Sequence, residues 1–165
     1  MKLQVHRLGR VEYSRATPQQ IALKDAVRNQ RPDKAFLILV EHTPVITLGR
    51  GWKGGNLLMP IEKYREMGFE VHNVSRGGDV TYHGPGQVVA YPVFDLNYFG
   101  RDIHQFLHNI EETAIRVLAQ YGLVGGRKQG LTGAWVGNSK VCAIGIAVSG
   151  WVSYHGLAFN VNPDL

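Results

Sequence analysis

The strongest hydrophobic pattern in the chain lies in residues 101–122, where apolar side chains recur at intervals of three and four positions. These side chains are Ile103, Phe106, Leu107, Ile110, Ala114, Val117, Leu118 and Tyr121. Such intervals place them on one stripe of an amphipathic helix, which buries that stripe against a core. Gly122 follows at the position where a left-handed residue commonly ends a helix. The pattern therefore predicts a long helix that ends at Gly122.

Shorter patterns predict two further helices and a series of strands. Thr17 is a good capping residue and Pro18 suits the first helical turn, so a helix is predicted from Thr17 to about Asn29, ended by Arg31 and Pro32. A short helix is predicted over residues 60–68, a long loop over 42–59, and strands over 2–8, 35–40, 69–72, 88–94, 134–136, 141–148 and 151–159.

The order of these elements predicts the fold class. Two-residue turn signals at Gly137-Asn138 and Ser149-Gly150 join the last three strands as hairpins. Hairpins mixed with few helices favour an α+β domain with a mixed sheet, and the regular alternation of a Rossmann fold is absent. With 165 residues, the chain is expected to form one domain.

Composition narrows the classes of function. Lys and Arg number 18 against 13 Asp and Glu, which gives a net charge of +5 and favours acidic partners. The basic residues are scattered, without the run typical of a nucleic-acid-binding tail. The single Cys142 excludes an intramolecular disulfide, and the sequence shows neither a secretory signal nor an apolar stretch of membrane-spanning length. A cytoplasmic protein that binds neither nucleic acid nor membrane is expected.

The densest cluster of unusual residues is the loop 75–87, directly before a predicted strand. It contains four glycines, one proline, Arg76 and His83. Glycine permits positive φ and close approach of the backbone. Backbone N–H groups, a guanidinium and an imidazole can therefore converge here on a polar or acyl ligand.

The side chains of this loop and of the long helix each allow two interpretations. Arg76 could form a bidentate pair with a carboxylate or phosphate, or be an ordinary surface arginine. His83 could carry or donate a proton near a reacting carbonyl, or be structural. His104 and His108 share a helical face, but no third metal ligand is evident, so a solvated face is preferred and no metal site is predicted.

Lys140 and Cys142 are two positions apart on a predicted strand, so their side chains are expected on the same face. A nearby ammonium lowers the pKa of a thiol, which would suit acyl transfer. Against this, a buried free cysteine usually serves as a small apolar residue, and side chains two apart on a strand are separated by roughly 6–7 Å. Lys140 can also be an edge lysine that limits aggregation.

Four segments resemble the lipoyl(octanoyl) transferases, the octanoyl-carrier-protein:protein octanoyltransferases. They are residues 41–50, 76–87, 140–145 and 151–161. The loop segment is the most specific, because lipoate ligases and biotin ligases lack the Gly-Pro-Gly-Gln that follows His83 here. The resemblance implies a biotin/lipoate protein ligase-like α+β fold with a mixed, largely antiparallel sheet and packed helices.

The resemblance also implies a reaction. The octanoyl donor is the phosphopantetheine thioester of acyl carrier protein, and the acceptor is a lysine on a lipoyl domain of the 2-oxoacid dehydrogenases or on the glycine-cleavage H protein. No cofactor and no ATP are expected, because the thioester is already activated. In the family a cysteine attacks the thioester to form an acyl-enzyme, and a lysine lowers the pKa of that cysteine. Lys140 matches this lysine and is expected to be buried beside an apolar groove.

Other family positions predict the substrate-binding residues. These are Arg76, Gly77, Gly78, Asp79, Val80, Thr81, Tyr82, His83, Ala143, Ile144, Gly145, Gly156, Leu157 and Ala158. The apolar members would line a slot for the octanoyl chain, and polar groups at its mouth would stabilise the tetrahedral oxyanion.

The family's nucleophilic cysteine lies some dozens of residues beyond the lysine motif, so the cysteine whose pKa Lys140 lowers is expected beyond Leu165. The resemblance therefore predicts a single catalytic domain over residues 1–165, truncated at its C-terminal end before the nucleophile. Three other hypotheses stay open at this point: an ATP-dependent lipoate- or biotin-type protein ligase, a catalytically dead module that binds acyl groups or lipoyl domains, and an enzyme whose nucleophile is Cys142.

Overall fold

The computed structural model describes residues 2–30 and 33–164. These residues form ten strands and three α-helices, joined by turns and loops. The strands are β1 (Lys2–Val11), β2 (Lys34–His42), β3 (Val45–Leu48), β4 (Glu70–Asn73), β5 (Val80–His83), β6 (Gln87–Val93), β7 (Gly125–Lys128), β8 (Leu131–Val136), β9 (Ser139–Ser149) and β10 (Val152–Asn160). The helices are α1 (Tyr13–Gln30), α2 (Ile61–Glu66) and α3 (Ile103–Gln120), with a 3₁₀ turn at Leu96–Phe99.

Two of the sequence predictions concern residues that the structure does not describe. The predicted helix end at Arg31 and Pro32 lies outside the described residues. Leu165, beyond which the nucleophilic cysteine is expected, also lies outside them. Both therefore stay predictions.

The strands form two sheets. The large sheet has seven strands in the order β1-β2-β6-β10-β9-β8-β7, and every adjacent pair is antiparallel except β1 with β2. The small sheet has the order β4-β3-β5, in which β3 is parallel to β4 and antiparallel to β5. The predicted α+β class with a mixed, largely antiparallel sheet is confirmed.

The two long helices cover opposite faces of the large sheet. On β10, Ala158 packs in a cluster that includes Leu23 of α1, whereas Leu157 packs against Phe106 of α3. Consecutive residues of a strand point to opposite faces, so α1 and α3 must lie on opposite sides. The small sheet and α2 share a separate core around Ile46. Neither α1 nor α3, the long helices of the described chain, has the apolar length that a bilayer crossing requires.

Both ends of α3 follow from local sequence, as predicted. The Asp102 side chain accepts the backbone N–H of Gln105 at 2.9 Å and caps the first turn. At the other end, Gly122 adopts a φ of 73°, and the N–H of Leu123 donates to the Leu118 carbonyl at 3.1 Å. The prediction of a long amphipathic helix ending at Gly122 is confirmed.

The start of α1 differs from the prediction. The helix begins at Tyr13 rather than at Thr17, and Pro18 lies inside it. The carboxylate of Glu70 in β4 accepts the N–H groups of Tyr13 and Ser14 at 2.8 and 3.1 Å, which satisfies donors of the first turn. Thr17 instead donates its hydroxyl to the Tyr13 carbonyl at 2.9 Å. Because the cap comes from a distant strand, local sequence could not reveal it.

Three short strands lie in segments where none was predicted. Strand β3 falls within the predicted loop 42–59, β5 within the glycine-rich loop, and β7 after Gly122. Each has four residues, which is too short for a period of two to be distinctive. Strand β3 forms only because β4 and β5, both distant in sequence, pair with its two edges.

Gly156 of β10 packs so closely against β6 that a side chain does not fit. A Cβ there would lie 2.1 Å from the Ala90 carbonyl oxygen and 2.6 Å from Cδ of Pro92. We expect Gly156→Ala to lower the free energy of unfolding by about 1–3 kcal/mol, measured by urea denaturation. Gly126→Ala in β7 is the control, because its Cβ would meet nothing within 4 Å. Equal stability of the two variants would contradict this account.

Candidate functional site

A cavity of about 440 Å³ lies where the two sheets and α1 meet, within the size range of small-ligand sites. Every predicted site residue except Tyr82 lines it. The lining includes Arg76, Gly77, Gly78, Asp79, Val80, Thr81 and His83 from the loop and β5, Lys140, Ala143, Ile144 and Gly145 from β9, and Gly156, Leu157 and Ala158 from β10. Segments that are far apart in the sequence thus share one concave site.

Tyr82 is the exception because side chains alternate along β5. The Tyr82 side chain packs against the core of the small sheet, where its ring centroid lies 6.0 Å from that of Phe69, whereas the neighbouring Thr81 and His83 line the cavity. Its hydroxyl occupies the space beside Gly84, 1.9 Å from where a Cβ would stand. Tyr82 therefore supports the small-sheet core rather than the cavity wall.

Several residues that the sequence did not predict also line the cavity. They are Tyr13, Thr47, Val89, Tyr91, Gly130, Leu131, Thr132 and His155. The alternation along β6 could have identified Val89 and Tyr91, and His155 directly precedes the predicted Gly156. For Tyr13 and the segment 130–132 the local sequence holds no such signal, since only the tertiary fold brings them to the cavity.

The guanidinium of Arg76 is buried in a shell of neutral oxygen atoms. The residue is 7% exposed, so its interpretation as an ordinary surface arginine is wrong. Nη2 donates to the Thr47 carbonyl at 2.7 Å, to the Thr47 hydroxyl at 2.8 Å and to the Asp79 carbonyl at 3.1 Å, and Nη1 donates to the Gly77 carbonyl at 3.0 Å. Because arginine stays protonated, the cavity wall carries a permanent positive charge.

Two facing glycines seat the Arg76 loop on the large sheet. Gly145 of β9 and Gly156 of β10 are direct partners in the strand register. A Cβ at Gly145 would lie 3.0 Å from the Gly77 carbonyl oxygen and 3.1 Å from Cδ of Arg76. The loop can approach this closely because the sheet lacks side chains here, and the Gly77 N–H donates to the Ile146 carbonyl at 2.9 Å.

His83 is a buried, neutral imidazole. Burial, with a smaller contribution from the neighbouring His42, lowers its pKa to about 3. Its Nδ1 lies 3.2 Å from Oε1 of Gln87, whose amide nitrogen donates to Oδ1 of Asn160 at 2.9 Å. That orientation of Gln87 makes Nδ1 the protonated nitrogen and leaves Nε2 as an acceptor. His83 therefore suits the acceptance of a hydrogen bond through Nε2, and its role as a proton carrier or donor near a reacting carbonyl stays a prediction.

His155 is held on both sides in a strained conformation. Its φ is 56°, in the left-handed region. Gln20 of α1 accepts its backbone N–H at 2.7 Å, and its Nε2 lies 3.0 Å from the Ser75 hydroxyl. Burial and, to a smaller extent, the charge of Arg76 lower its pKa to about 4. His155 is therefore neutral near pH 7 and ties the cavity floor to the residue before Arg76.

A β-bulge separates Lys140 from Cys142. In the β8–β9 register, Trp135 is opposite Lys140 and Ala134 is opposite Cys142. One step along β8 thus matches two steps along β9, so Val141 is the extra residue, and a bulge of this kind re-aims side chains. Lys140 lines the cavity, whereas Cys142 packs on the α3 face. The prediction that the two side chains share a face is wrong.

Cys142 is a core residue. It is fully buried against Ala114 and Leu118 of α3, and burial raises the pKa of its thiol to about 12. A protonated thiol on the face opposite to the cavity cannot attack an acyl group bound there. The hypothesis that Cys142 is the nucleophile is therefore rejected, and the cysteine expected beyond Leu165 stays a prediction.

Lys140 stands at the rim of the cavity, not in its interior. Its side chain is exposed, so the expectation of a buried ammonium is wrong. Its Nζ lies 5.1 Å from the ring centroid of Trp135.

Among the described residues, the cavity included, no three His, Cys, Asp or Glu side chains converge as a metal site requires. The site thus offers a guanidinium in the wall, an ammonium at the mouth and apolar surface between the strands.

The amino-acid sequence of the chain is similar to those of known proteins. Residues 17–165 match the family of the lipoyl protein ligase A/B catalytic domain. An octanoyltransferase of Caldanaerobacter subterraneus subsp. tengcongensis is 47% identical over 163 residues, which cover 98% of this chain and 71% of that protein. An octanoyltransferase of Caldicellulosiruptor saccharolyticus is 49% identical over 168 residues, covering 100% of this chain and 71% of its own length.

Solved structures with a similar fold are lipoate-protein ligases. Lipoate-protein ligase A bound with ATP superimposes with a TM-score of 0.74 at 17% identity, covering 99% of this chain and 68% of that one. A bipartite lipoate protein ligase from Thermoplasma acidophilum gives a TM-score of 0.64 at 18% identity, covering 100% of this chain and 64% of that one. At these identities the likeness concerns the fold alone, and the predicted lipoate ligase-like fold is confirmed.

We expect the protein to lose stability in acid, because two of its buried histidines have lowered pKa values. His83 and His155 have folded-state pKa values of about 3 and about 4, against an ordinary value of 6.5. Between the ordinary pKa and the folded-state pKa values, the unfolded chain therefore binds more protons than the folded chain. The stability that the neutral histidines contribute is fully present above pH 6.5 and is lost as the pH falls toward the folded-state pKa values. Each histidine contributes up to about 1.4 kcal/mol per pH unit there.

Urea denaturation at a series of pH values from neutral down to about pH 5 measures this effect. We expect His155→Gln to reduce the slope of unfolding free energy against pH, because one buried imidazole is removed. His104→Gln is the matched control, since His104 is exposed on α3. An unchanged slope in His155→Gln would show that the histidine does not titrate as described.

Proposed function

The chain belongs to the octanoyltransferases of the lipoyl protein ligase A/B catalytic-domain family, and we propose that it transfers an octanoyl group from acyl carrier protein to a lysine of a lipoyl domain. Octanoyl transfer in lipoate attachment is the reaction of this family, and an acyl donor and a lipoyl domain are its general partners. The observation that carries the proposal is the single cavity in which the predicted loop, β9 and β10 segments converge.

The apolar side of the cavity supports binding of the octanoyl tail. Ala143 and Ala158, direct partners in the strand register, present small apolar side chains, and the facing glycines leave room beside them. Each buried CH₂ group of a ligand contributes about 0.8 kcal/mol to binding. A medium-length alkyl chain therefore gains most of its affinity from this wall without any specific polar contact.

The polar side supports two successive acyl transfers. In the first, a cysteine thiolate attacks the thioester carbonyl, the bond from that carbon to the phosphopantetheine sulfur breaks, and this sulfur leaves as the thiol after taking up a proton. In the second, the neutral amine of the acceptor lysine attacks the acyl-enzyme carbonyl, the carbon–sulfur bond breaks as the amide forms, and the proton lost by the amine passes to the departing cysteine sulfur, which leaves as the thiol. The family resemblance supplies this cysteine from beyond Leu165. Lys140 and Arg76 provide positive charge that favours the thiolate and the oxyanion.

The proposal includes the partners and the absence of ATP. A net charge of +5 favours the acidic surfaces of octanoyl acyl carrier protein, and lipoyl domains of 2-oxoacid dehydrogenases or the glycine-cleavage H protein would accept the group. Because a thioester is already activated, ATP has no role. An ATP-dependent ligase is not favoured, since the ligases named above share only the fold at 17% and 18% identity.

Acyl chain length tests the apolar slot. We expect octanoyl-pantetheine to bind this chain about fifteenfold more tightly than hexanoyl-pantetheine, the effect of two buried CH₂ groups, measured by isothermal titration calorimetry. Ala143→Leu should reduce this preference because the added side chain occupies the slot. Ala119→Leu makes the same chemical change on the exposed side of α3 and should leave the preference intact. Equal affinities for the two chain lengths in the parent protein would refute the slot.

Transfer without ATP tests the reaction. We expect the full-length protein to octanoylate a lipoyl domain from octanoyl acyl carrier protein alone, detected by intact mass spectrometry. Lys140→Ala should slow acylation of the protein by about tenfold to a hundredfold, the change in thiolate fraction for a pKa shift of one or two units, while binding of the carrier changes little. Lys63→Ala on α2 is the control. A requirement for ATP would favour a ligase, and carrier binding without acylation would favour a binding module.

A further inference from the structure

We propose that Trp135 is the positioning residue for Lys140: its indole face holds the ammonium at the rim of the cavity. The inference rests on the role proposed for Lys140 in octanoyl transfer. The two residues are direct partners in the β8–β9 register, and Nζ of Lys140 lies 5.1 Å from the ring centroid, within the range of cation–π attraction.

The bulge at Val141 brings the lysine to the indole. By strict alternation Lys140 would lie with Cys142 on the α3 face, but the extra residue turns it to the cavity face. There its stem passes over Gly133, where an added Cβ would lie 3.5 Å from both Cδ and Cε of Lys140. The aliphatic stem thus lies against β8 at Gly133, and the ammonium lies beside the ring of Trp135, two residues further along the same strand.

Nothing else in the described chain orders this ammonium by charge. Among residues 2–30 and 33–164, no carboxylate forms an ion pair with Lys140. The side chain is exposed, so without the ring it would sample many rotamers. The indole Nε1 is buried and has no hydrogen-bond partner among the described residues, so the ring offers Lys140 its π face.

A second ammonium shares the same ring. Nζ of Lys128 lies 4.4 Å from the Trp135 centroid and donates to Oδ1 of Asn138 at 3.1 Å. Lys128 is therefore held by two partners, whereas Lys140 is held by the ring alone among the described residues. The like charge of Lys128 weakens the attraction between the ring and the Lys140 ammonium. Trp135 thus keeps Lys140 at the rim of the cavity through a single contact.

Ring-current shifts test the contact directly. Lysines are dimethylated with ¹³C-labelled formaldehyde, and their methyl signals are recorded by NMR. We expect two signals displaced upfield from the rest, assigned to Lys128 and Lys140 with the variants Lys128→Arg and Lys140→Arg. Both signals should return to the ordinary position in Trp135→Leu and stay displaced in Trp135→Phe. Trp151→Phe is the matched control, because that indole also contacts a cation, Arg101, away from the cavity. An unshifted Lys140 signal in the parent protein overturns the proposal.

Kinetics test the functional consequence. Acylation of the full-length protein by octanoyl-pantetheine is followed by mass spectrometry, and binding is measured separately. We expect Trp135→Leu to slow acylation by about tenfold to a hundredfold with less than about a twofold change in affinity, and Trp135→Phe to restore most of the rate. An unchanged rate in Trp135→Leu overturns the positioning role even if the NMR contact is present. An unchanged rate in Lys140→Ala contradicts the role proposed for the lysine itself, so the two failures are distinguishable.

Discussion

The buried guanidinium of Arg76 is the interaction on which the shape of the cavity depends. Its donors bond to Thr47 in the small sheet, and the next residue, Gly77, donates to Ile146 in the large sheet. A charged donor that is removed from water must keep its acceptors, because leaving it unsatisfied is far more costly than the bond itself contributes. Displacement of the small sheet would break these bonds. Arg76 therefore holds one wall of the cavity against the other.

The same charge adds to the effect of burial on the pKa values of its neighbours. Burial is the main reason that the pKa values of His83 and His155 are low, and the proximity of Arg76 lowers both further. The histidines stay neutral, so positive charge is confined to the guanidinium in the wall and the ammonium of Lys140 at the rim. This arrangement suits a ligand with an uncharged alkyl tail and a carbonyl on which negative charge develops during reaction.

Much of the architecture could be predicted wherever a segment carries its own signal. The stripe of α3 and its glycine stop are local, and so are the long hairpin strands β9 and β10, because turn residues and apolar runs need no distant partner. The start of α1 could not be predicted, since its cap is the carboxylate of Glu70 in another element. Strand β3 could not be predicted for the same reason, because the strands that pair with its two edges, β4 and β5, are distant in the sequence.

For the site, residue types alone show which segments carry unusual chemistry, because they are visible without a fold. These segments are the glycine-rich loop with Arg76 and His83, and the two strands that contain glycine. How the residues are used depends on the folded chain. Folding buried Arg76 and placed Cys142 in the core. One extra residue at Val141 interrupted the alternation of β9, so the exposed side chain of Lys140 lies on the other face of the sheet from Cys142. Whether a side chain is buried, and on which face of the sheet it lies, depends on strand register and on partners that are distant in the chain. No local pattern encodes either property.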